Sequence, residues 1–480
     1  MTVRTSRRLL AGAASALLLF GLLSSCASPG GGGQEQQPPA TPAATGAAAA
    51  DNPFGLVAGS SIDAVIFDGG YKTDYVDYAG TVLAQKFPGT TVNVTASTNI
   101  SAEMQPRFVG GNPPDLLDNQ GAQTIPISSI LNQLAPLDDV WNSTNYDGVK
   151  VSDAVIPGIN IKDTGTYDGK FVVLPYVLTV WAFYYSDTLF QANGWTPPKT
   201  WDEASALCDQ AKAKGLYLFT WGKEAASYWK YLALDSSYKQ GGPSVVEDVV
   251  NLKPGAWSNP TIKDVLTKFK GLIDKGCFIP GGAGTQFTQA QAQWSNDQKA
   301  LMYFTGSWIE NEMKNATADN FKMTASPAII IDPATAKLPF EAVDAGADEK
   351  YVVPAQGANL AGGKELLRAM LSKDAASNFA KTRLAPTIVK DTVPADGFGS
   401  TALASTSQLL ATSGSNTFSW SFTNYDNYYG IATDSLVLWN SFLSGDKSVD
   451  DLIKGEEGLN AKAAANTAVA KITYSFPAVG

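Results

Sequence analysis

Two spacings of hydrophobic residues alternate along most of the chain. Short apolar runs such as 62–67 have the length of buried strands. Longer segments such as 76–87 carry apolar residues three and four positions apart, which predicts amphipathic helices. A strand at 91–95 and a helix at 101–109 repeat the order. This succession predicts an α/β fold with a parallel sheet and with ligand-binding loops after the strand ends.

One stretch combines both patterns with a large aromatic residue. The apolar run 300–304 predicts a buried strand, Thr305-Gly306-Ser307 predicts a tight turn, and Trp308 then stands at the start of a helix. This order places a flat ring at a cleft, beside the free N–H groups of a helix N-terminus. The alternative is that Trp308 is a core residue, since tryptophan is mostly buried in folded proteins.

Composition narrows the chemistry that this fold can carry. The 480 residues suit two or three domains, and the net charge of −10 disfavours nucleic-acid binding. The chain contains no histidine, which excludes Ser-His-Asp catalysis and histidine-based zinc sites. We expect no metal and no cofactor.

The N-terminus predicts export. Arginines precede an apolar run at 9–23, which is too short for a comfortable transmembrane helix and typical of a signal peptide. The run ends in Leu23-Ser24-Ser25-Cys26, which resembles the bacterial lipobox and implies lipidation of Cys26. We therefore expect a signal peptide at 1–25 and a lipidated, flexible tether at 26–58 on the outer face of the cell membrane. Sec and twin-arginine export both stay open.

Two further cysteines, Cys208 and Cys277, lie in the body of the chain. In an exported protein such a pair is a disulfide candidate. Two small buried thiols are the alternative.

Five local patterns then occur in an order that resembles extracytoplasmic solute-binding lipoproteins of bacterial ABC sugar importers (family 1 type). They are Gly110-Gly-Asn-Pro-Pro-Asp115, Asp168-Gly-Lys with Pro175, Tyr185-Ser-Asp through Thr200-Trp-Asp-Glu203, Lys299-Ala-Leu through Trp308, and Val353-Pro through Asp374. The amino-acid sequences of four segments resemble those of the family branch that binds N-acetylglucosamine and diacetylchitobiose. The segments are 107–115, 284–297, 306–313 and 384–399. The residues themselves do not distinguish an acetamido sugar from a cello- or xylo-oligosaccharide.

The resemblance implies a two-lobe periplasmic-binding-protein fold (type II, maltose-binding-protein-like). The first lobe is expected at 59–175 and 329–386, and the second lobe at 176–328 and 387–480. A ligand would lie between the lobes, which close on it by a hinge motion.

A sugar site needs flat aromatic rings for the C–H faces and planar polar groups for the hydroxyls. Residues of these types follow predicted strands in both halves, and the resemblance favours the loop after the first strand and the positions of Trp221 and Trp308. The expected ligand-binding residues are Asp68, Tyr71, Asp74, Asn119, Gln120, Tyr176, Trp221, Glu224, Trp308, Glu310, Trp420 and Tyr425. Trp181 fits a core as well as a site, and Glu310 fits a helix-dipole partner as well as a ligand contact.

The function these features favour is a monomeric, non-enzymatic protein that captures a small carbohydrate and delivers it to an ABC permease. The alternative is a secreted glycoside hydrolase, whose chemistry needs only two carboxylates. An adhesin or signalling sensor with the same fold is a third possibility.

Overall fold

The computed structural model describes residues 43–121, 124–156, 159 and 161–476. The predicted signal peptide, Cys26 and the first part of the predicted tether lie outside the described residues. From Ala43 onward the chain contacts the body of the protein. The Ala43 N–H donates to the Ala358 carbonyl over 2.6 Å, and Leu56 is buried among hydrophobic side chains.

The described strands form one eight-stranded sheet and a separate hairpin. The sheet has the order β2-β1-β3-β10-β6-β8-β7, with β9 paired to β6, and the hairpin is β4-β5. Their bounds are β1 Ser61–Phe67, β2 Thr91–Ser97, β3 Leu116–Asp118, β4 Thr166–Tyr167, β5 Lys170–Phe171, β6 Leu174–Ser186, β7 Tyr217–Phe219, β8 Ala300–Gly306, β9 Met323–Ser326 and β10 Asp344–Val352.

Helices cover both faces of the sheet's strands. Among the described helices, none is long and apolar enough to cross a bilayer. Their bounds are α1 Asp74–Lys86, α2 Ile100–Val109, α3 Ile127–Ile130, α4 Asp138–Asn142, α5 Val151–Ala154, α6 Ile161–Thr164, α7 Asp187–Asn193, α8 Trp201–Ala213, α9 Ser227–Gly241, α10 Pro243–Val250, α11 Pro260–Asp274, α12 Phe287–Ser295, α13 Ile309–Met313, α14 Leu360–Met370, α15 Lys373–Arg383, α16 Thr401–Ser413, α17 Tyr425–Tyr428, α18 Ala432–Leu443 and α19 Val449–Ala465.

The predicted βαβ order of the N-terminal half is confirmed. Strand β1 pairs in parallel with both β2 and β3, and α1 and α2 make the connections. The apolar residues of α1 that were spaced for one face, Val82 and Leu83 among them, are buried. The loops after β1 and β3 therefore open at the same edge of the sheet, because parallel strands end on one side.

Strand β6 joins the two halves of the molecule. It is 13 residues long and buried throughout. Its first part, through Val177, packs in a hydrophobic cluster with β1, α1 and α14, which we call the first core. Its last part, from Trp181, packs in a second cluster with α8, α9 and α11, which we call the second core.

Three segments cross between the two cores close to one point. Strand β10 runs antiparallel to β6, with Asp348 opposite Val177. Beside it the Leu178 N–H donates to the Pro386 carbonyl over 2.9 Å. Ile329 packs in the second core and Ile388 packs in the first core. The chain therefore passes from the second core to the first along β10, and it returns to the second core after residue 388.

A disulfide and a helix cap stabilise elements of the second core. Cys208 in α8 and Cys277 after α11 are bonded. Thr200 caps α8 by accepting the Glu203 N–H over 3.1 Å. The Glu203 carboxylate accepts from the Lys199 N–H at 2.6 Å, one residue before the position that a reciprocal capping box would use.

Candidate functional site

The stretch around Trp308 folds as the pattern predicts. Strand β8 is buried throughout and ends at Gly306. Trp308 is the residue immediately before α13. The turn requires glycine, since a Cβ at Gly306 would come within 2.0 Å of the Trp308 ring. Ser307 fixes the turn by accepting the Val180 N–H over 3.2 Å. The ring of Trp308 is half-buried and packs against side chains of both cores.

Trp308 lies where the two halves touch. Its ring meets the ring of Trp181 edge to face at 5.1 Å and that of Tyr228 at 6.0 Å. A Cβ at Gly70, in the loop after β1, would lie 3.8 Å from the Trp308 Cβ. The Asn311 side-chain amide donates to the Gly70 carbonyl. The loop after β1 and the start of α13 are therefore in direct contact.

The predicted residues of the loop after β1 have different surroundings. Asp68 is half-buried and forms an ion pair with Lys72 at 3.2 Å. Tyr71 is 5% exposed, and its hydroxyl lies beside the Thr179 side chain. Burial raises the pKa of Tyr71, and the Glu349 carboxylate nearby raises it further. Asp74 is exposed and pairs with Arg383.

The loop after β3 holds two more predicted residues. The Asn119 side chain donates to the Ile125 carbonyl at 2.8 Å and accepts the Ile125 N–H at 2.9 Å. These two bonds close the loop on itself, and Asn119 also lines a cavity. Gln120 is half-buried beside it.

That cavity has a volume of about 1460 Å³. One wall comes from the loop at 124–128 and the hairpin β4-β5, whose residues Ile125, Ile127 and Tyr167 pack in a cluster with residues of β1, β3 and β10. The opposite wall comes from 415–431 and 466–476. Its aromatic lining residues are Tyr167, Tyr238, Phe418, Phe422, Tyr428, Tyr429, Tyr474 and Phe476. Flat rings with hydroxyl groups in a cleft of this kind match the two surfaces of a sugar.

Helix α9 supplies a face that the sequence patterns did not reveal. Tyr228, Tyr231, Asp235 and Tyr238 are spaced three, four and three residues apart, so they share one side of the helix. Tyr231 meets Trp181 at 4.7 Å, and Tyr238 stacks on Phe418 at 4.3 Å. The repeated tyrosines at helical spacing were the available signal for this face.

Two predicted residues from the C-terminal part of the chain contact side chains of α9. The Trp420 indole donates to Asp235 at 2.6 Å and is buried. The Tyr425 ring is buried under the Lys230 ammonium at 5.1 Å. Lys230 is itself buried between Asp426 at 2.9 Å and Glu456 at 3.3 Å, an arrangement that ties α9 to α17 and α19.

The remaining predicted residues have partners away from the Trp308 ring. Tyr176 is buried in the first core and donates to the Met370 carbonyl at 3.0 Å. Trp221 is buried, and its ring lies so close to Gly282 that a Cβ there would come within 2.2 Å. Glu224 is exposed and accepts the Phe287 N–H at 3.0 Å. Glu310 accepts from the Ser400 hydroxyl, and burial raises its pKa.

Two carboxyl pairs lie along the crossing strand β10. Asp118 faces Glu349, and burial raises the pKa of Asp118 to about 7 and that of Glu349 well above its usual value. Asp235 faces Asp344, and burial raises the pKa of Asp235 to about 7. Glu349 has a φ of +56°, so the strand is locally bent at this residue. No group of three or more acidic or cysteine side chains in the described part of the chain is arranged to hold a metal ion.

Known proteins resemble this chain in sequence and in fold. A model of the family described as bacterial extracellular solute-binding protein matches residues 82–406. The diacetylchitobiose binding protein NgcE of Streptomyces coelicolor is 52% identical over 427 residues, which cover 89% of this chain and 90% of that protein.

Solved structures at low sequence identity share the fold. A chitin oligosaccharide binding protein aligns with a TM-score of 0.67 at 18% identity, covering 85% of this chain and 100% of that chain. RafE from Streptococcus pneumoniae, in its apo form, aligns with a TM-score of 0.65 at 17% identity, covering 85% of this chain and 99% of that chain.

Proposed function

The chain belongs to the bacterial extracellular solute-binding protein family, and on this premise we propose that it captures N,N'-diacetylchitobiose or N-acetylglucosamine for an ABC importer. The observation that carries the proposal is the 52% identity with the diacetylchitobiose binding protein NgcE over most of both chains. The five local patterns and the aromatic cleft are consistent with the same ligand class.

Family membership also places the protein outside the cell membrane and among binding proteins rather than enzymes. The predicted α/β solute-binding fold is confirmed by the family and by the solved structures. The glycoside hydrolase alternative has no support among these relatives.

The two cores correspond, in this proposal, to the two lobes of the fold. Segments of β6 and β10 and the chain at Pro386–Thr387 form the hinge, because they cross between the cores within hydrogen-bonding reach of one another. Rotation about these segments opens and closes the cleft that contains Trp308 and the cavity.

The ligand site lies in this cleft. Trp308 and Tyr71 are the predicted residues closest to the contact between the two cores, where Trp308 packs against both cores and Tyr71 carries a buried hydroxyl beside Thr179. Asn119 and Gln120 belong to the loop that reaches the cavity, which Asn119 lines. In the closed form the ligand exchanges hydrogen bonds with the polar groups that line the cavity, since a buried polar atom left unpaired costs about 1–3 kcal/mol.

The lipid anchor at Cys26 and the monomeric state are further parts of the proposal. The lipobox sequence Leu23-Ser24-Ser25-Cys26 supports the anchor. A diacylglyceryl group there would keep the protein at the membrane beside its permease. Mass spectrometry of the protein purified from membranes tests the modification, and a Cys26→Ser variant released into the medium is the expected control result.

Calorimetry on the purified mature protein tests the function. We expect saturable binding of N,N'-diacetylchitobiose at one site per chain, and weaker or absent binding of cellobiose and xylobiose. Chromatography of the same mixture should return the disaccharide unchanged after prolonged incubation. Absence of binding to either acetamido sugar refutes the proposed ligand, and release of monosaccharide refutes the capture function.

A further inference from the structure

The last described segment of the chain forms part of the cavity wall. Residues 466–476, which we call the C-terminal strap, follow α19 and adopt neither helix nor strand. Most of the strap faces the cavity, through Val469, Ile472, Thr473, Tyr474, Ser475 and Phe476. An extended segment along a cavity presents several side chains in a row, which suits an elongated ligand.

Side chains of the second half of the molecule hold the strap in place. The Asn251 side chain binds the backbone of Tyr474 twice, by donating to its carbonyl and by accepting from its N–H, both at 2.8 Å. The Phe476 N–H donates to the Glu247 carboxylate at 3.0 Å. Glu247 lies within α10 and Asn251 directly follows it, and α10 packs in the second core, so these bonds attach the strap to that core.

Tyrosine hydroxyls link the strap to the wall at 415–431 by hydrogen bonds. The Tyr429 hydroxyl accepts the Ile472 N–H at 3.1 Å, and the Tyr428 hydroxyl donates to the Ala470 carbonyl at 2.9 Å. The Tyr474 hydroxyl donates to the Thr423 carbonyl at 3.3 Å. These bonds orient the three phenol rings at one end of the cavity.

The opposite lobe contributes a fourth tyrosine at this end. Tyr167, in the hairpin β4-β5, lines the cavity and lies near enough to raise the pKa of both Tyr428 and Tyr474, in each case after the larger effect of burial. Phe171 of the hairpin packs in the first core, so Tyr167 reaches this end of the cavity from the side opposite the strap.

We infer that the strap and Tyr167 form a subsite for a second sugar ring, so that this end of the cavity selects a disaccharide over a monosaccharide. The inference rests on the proposed function and adds a ligand length to it. The cavity volume of about 1460 Å³ exceeds the roughly 300–1,000 Å³ of ordinary small-ligand pockets, which leaves room for more than one ring. Phenol rings offer a stacking face and a hydroxyl, the two features that a pyranose needs.

The test compares two ligands on variants of the full mature chain. In Tyr474→Ala the backbone bonds to Asn251 can persist, so only the phenol is lost. We expect its Kd for N,N'-diacetylchitobiose to rise about tenfold, as for loss of an aromatic anchor, while its Kd for N-acetylglucosamine stays unchanged. Tyr474→Phe should recover most of the disaccharide affinity because it keeps the ring.

A second variant acts on the strap without touching its rings. Asn251→Ala removes both bonds to the Tyr474 backbone, and we expect the same selective loss of disaccharide affinity. Tyr217→Ala is the matched control, since Tyr217 is half-buried in β7 and is not among the cavity-lining residues. Thermal melting of each variant verifies that it is folded.

The outcomes separate the two claims. Suppose that wild-type protein binds the disaccharide, but that both strap variants lose affinity equally for the two sugars, or lose affinity for neither. The subsite inference is then overturned, while the proposed function stands. If wild-type protein binds neither sugar, the proposed function fails, and the inference fails with it.

Discussion

The rings of Trp308 and Trp181 meet edge to face, with centroids 5.1 Å apart and planes at 89°. Trp181 lies on β6 opposite Gly306, the residue that forms the turn before Trp308. Because β6 runs from one core to the other, the Trp308 ring is in direct contact with a strand that joins both cores. Under the proposed function, a ligand that contacts Trp308 therefore acts on the segments proposed as the hinge.

Replacing Trp308 with alanine should weaken sugar binding by roughly 1–3 kcal/mol, the range for losing an aromatic anchor. The change removes the one side chain that we have placed against both cores and beside the loop after β1. Calorimetry with N,N'-diacetylchitobiose measures the effect. Trp141→Ala is the matched control, since Trp141 is also partly buried but packs on Phe171 in the first core. Unchanged affinity in Trp308→Ala would remove this ring from the site.

Gly306→Ala should act on the same ring through the backbone. The new methyl group would lie 2.0 Å from the Trp308 ring, so the ring must move or the turn must distort, at about 1–3 kcal/mol of stability. We expect lower sugar affinity together with a changed tryptophan emission spectrum. Gly271→Ala in α11 is the control, because a Cβ there meets nothing within 4 Å. This control should be neutral or slightly stabilising, since alanine is the better helix former.

The sequence predicted the elements around Trp308 because their signals are local. The apolar run of β8, the glycine turn and the start of α13 are all contained in about a dozen residues, and hydrophobic periodicity reports such segments directly. The disulfide candidate followed from counting cysteines in an exported chain. The βαβ order of the first half was equally accessible, since each strand and helix there has its own spacing.

The cavity wall was not predictable in the same way, because its residues are brought together from distant parts of the chain. Helix α9 is buried on most sides. Its sequence therefore lacks the single apolar face from which the position of the face with Tyr228, Tyr231 and Tyr238 could be predicted. Lys230 is balanced by Glu456, which is 226 positions away. Trp221 follows β7 and Tyr176 lies near the start of β6, and both side chains are buried by contacts with parts of the chain that the local sequence does not describe.

Removing the disulfide should destabilise the part of the protein built around the second core. The bond joins residues separated by 69 positions, and closing a loop of this size contributes about 4 kcal/mol in the chain-entropy model. Cys208→Ala combined with Cys277→Ala should therefore lower the urea midpoint relative to wild type. A reductant should lower the midpoint of the wild-type protein and leave that of the double variant unchanged. A wild-type midpoint that is insensitive to reductant under unfolding conditions would contradict the prediction.

The carboxyl pair Asp118–Glu349 should make the protein less stable as the pH rises toward neutrality. Both groups are buried beside the crossing strand, which raises their pKa values, that of Asp118 to about 7. An unfolded aspartate titrates near 4. Between these values the folded state keeps a proton that the unfolded state has released. The free energy of unfolding therefore falls with pH in this window, by up to about 1.4 kcal/mol per pH unit for one proton.

Asp118→Asn isolates this contribution, because an amide cannot titrate and its carbonyl can still accept the Phe67 N–H that Asp118 accepts at 3.3 Å. Urea unfolding at pH 5, 6 and 7 should show a smaller loss of stability in the variant than in the wild type. Asp235, whose pKa is also raised to about 7, acts in the same direction in both proteins, so the difference between their slopes belongs to the Asp118–Glu349 pair. Burial lowers the pKa of Lys239 to about 7 from near 10.5, so its contribution changes mainly above this window. Equal slopes in the two proteins would show that the pair does not share a retained proton in the folded state.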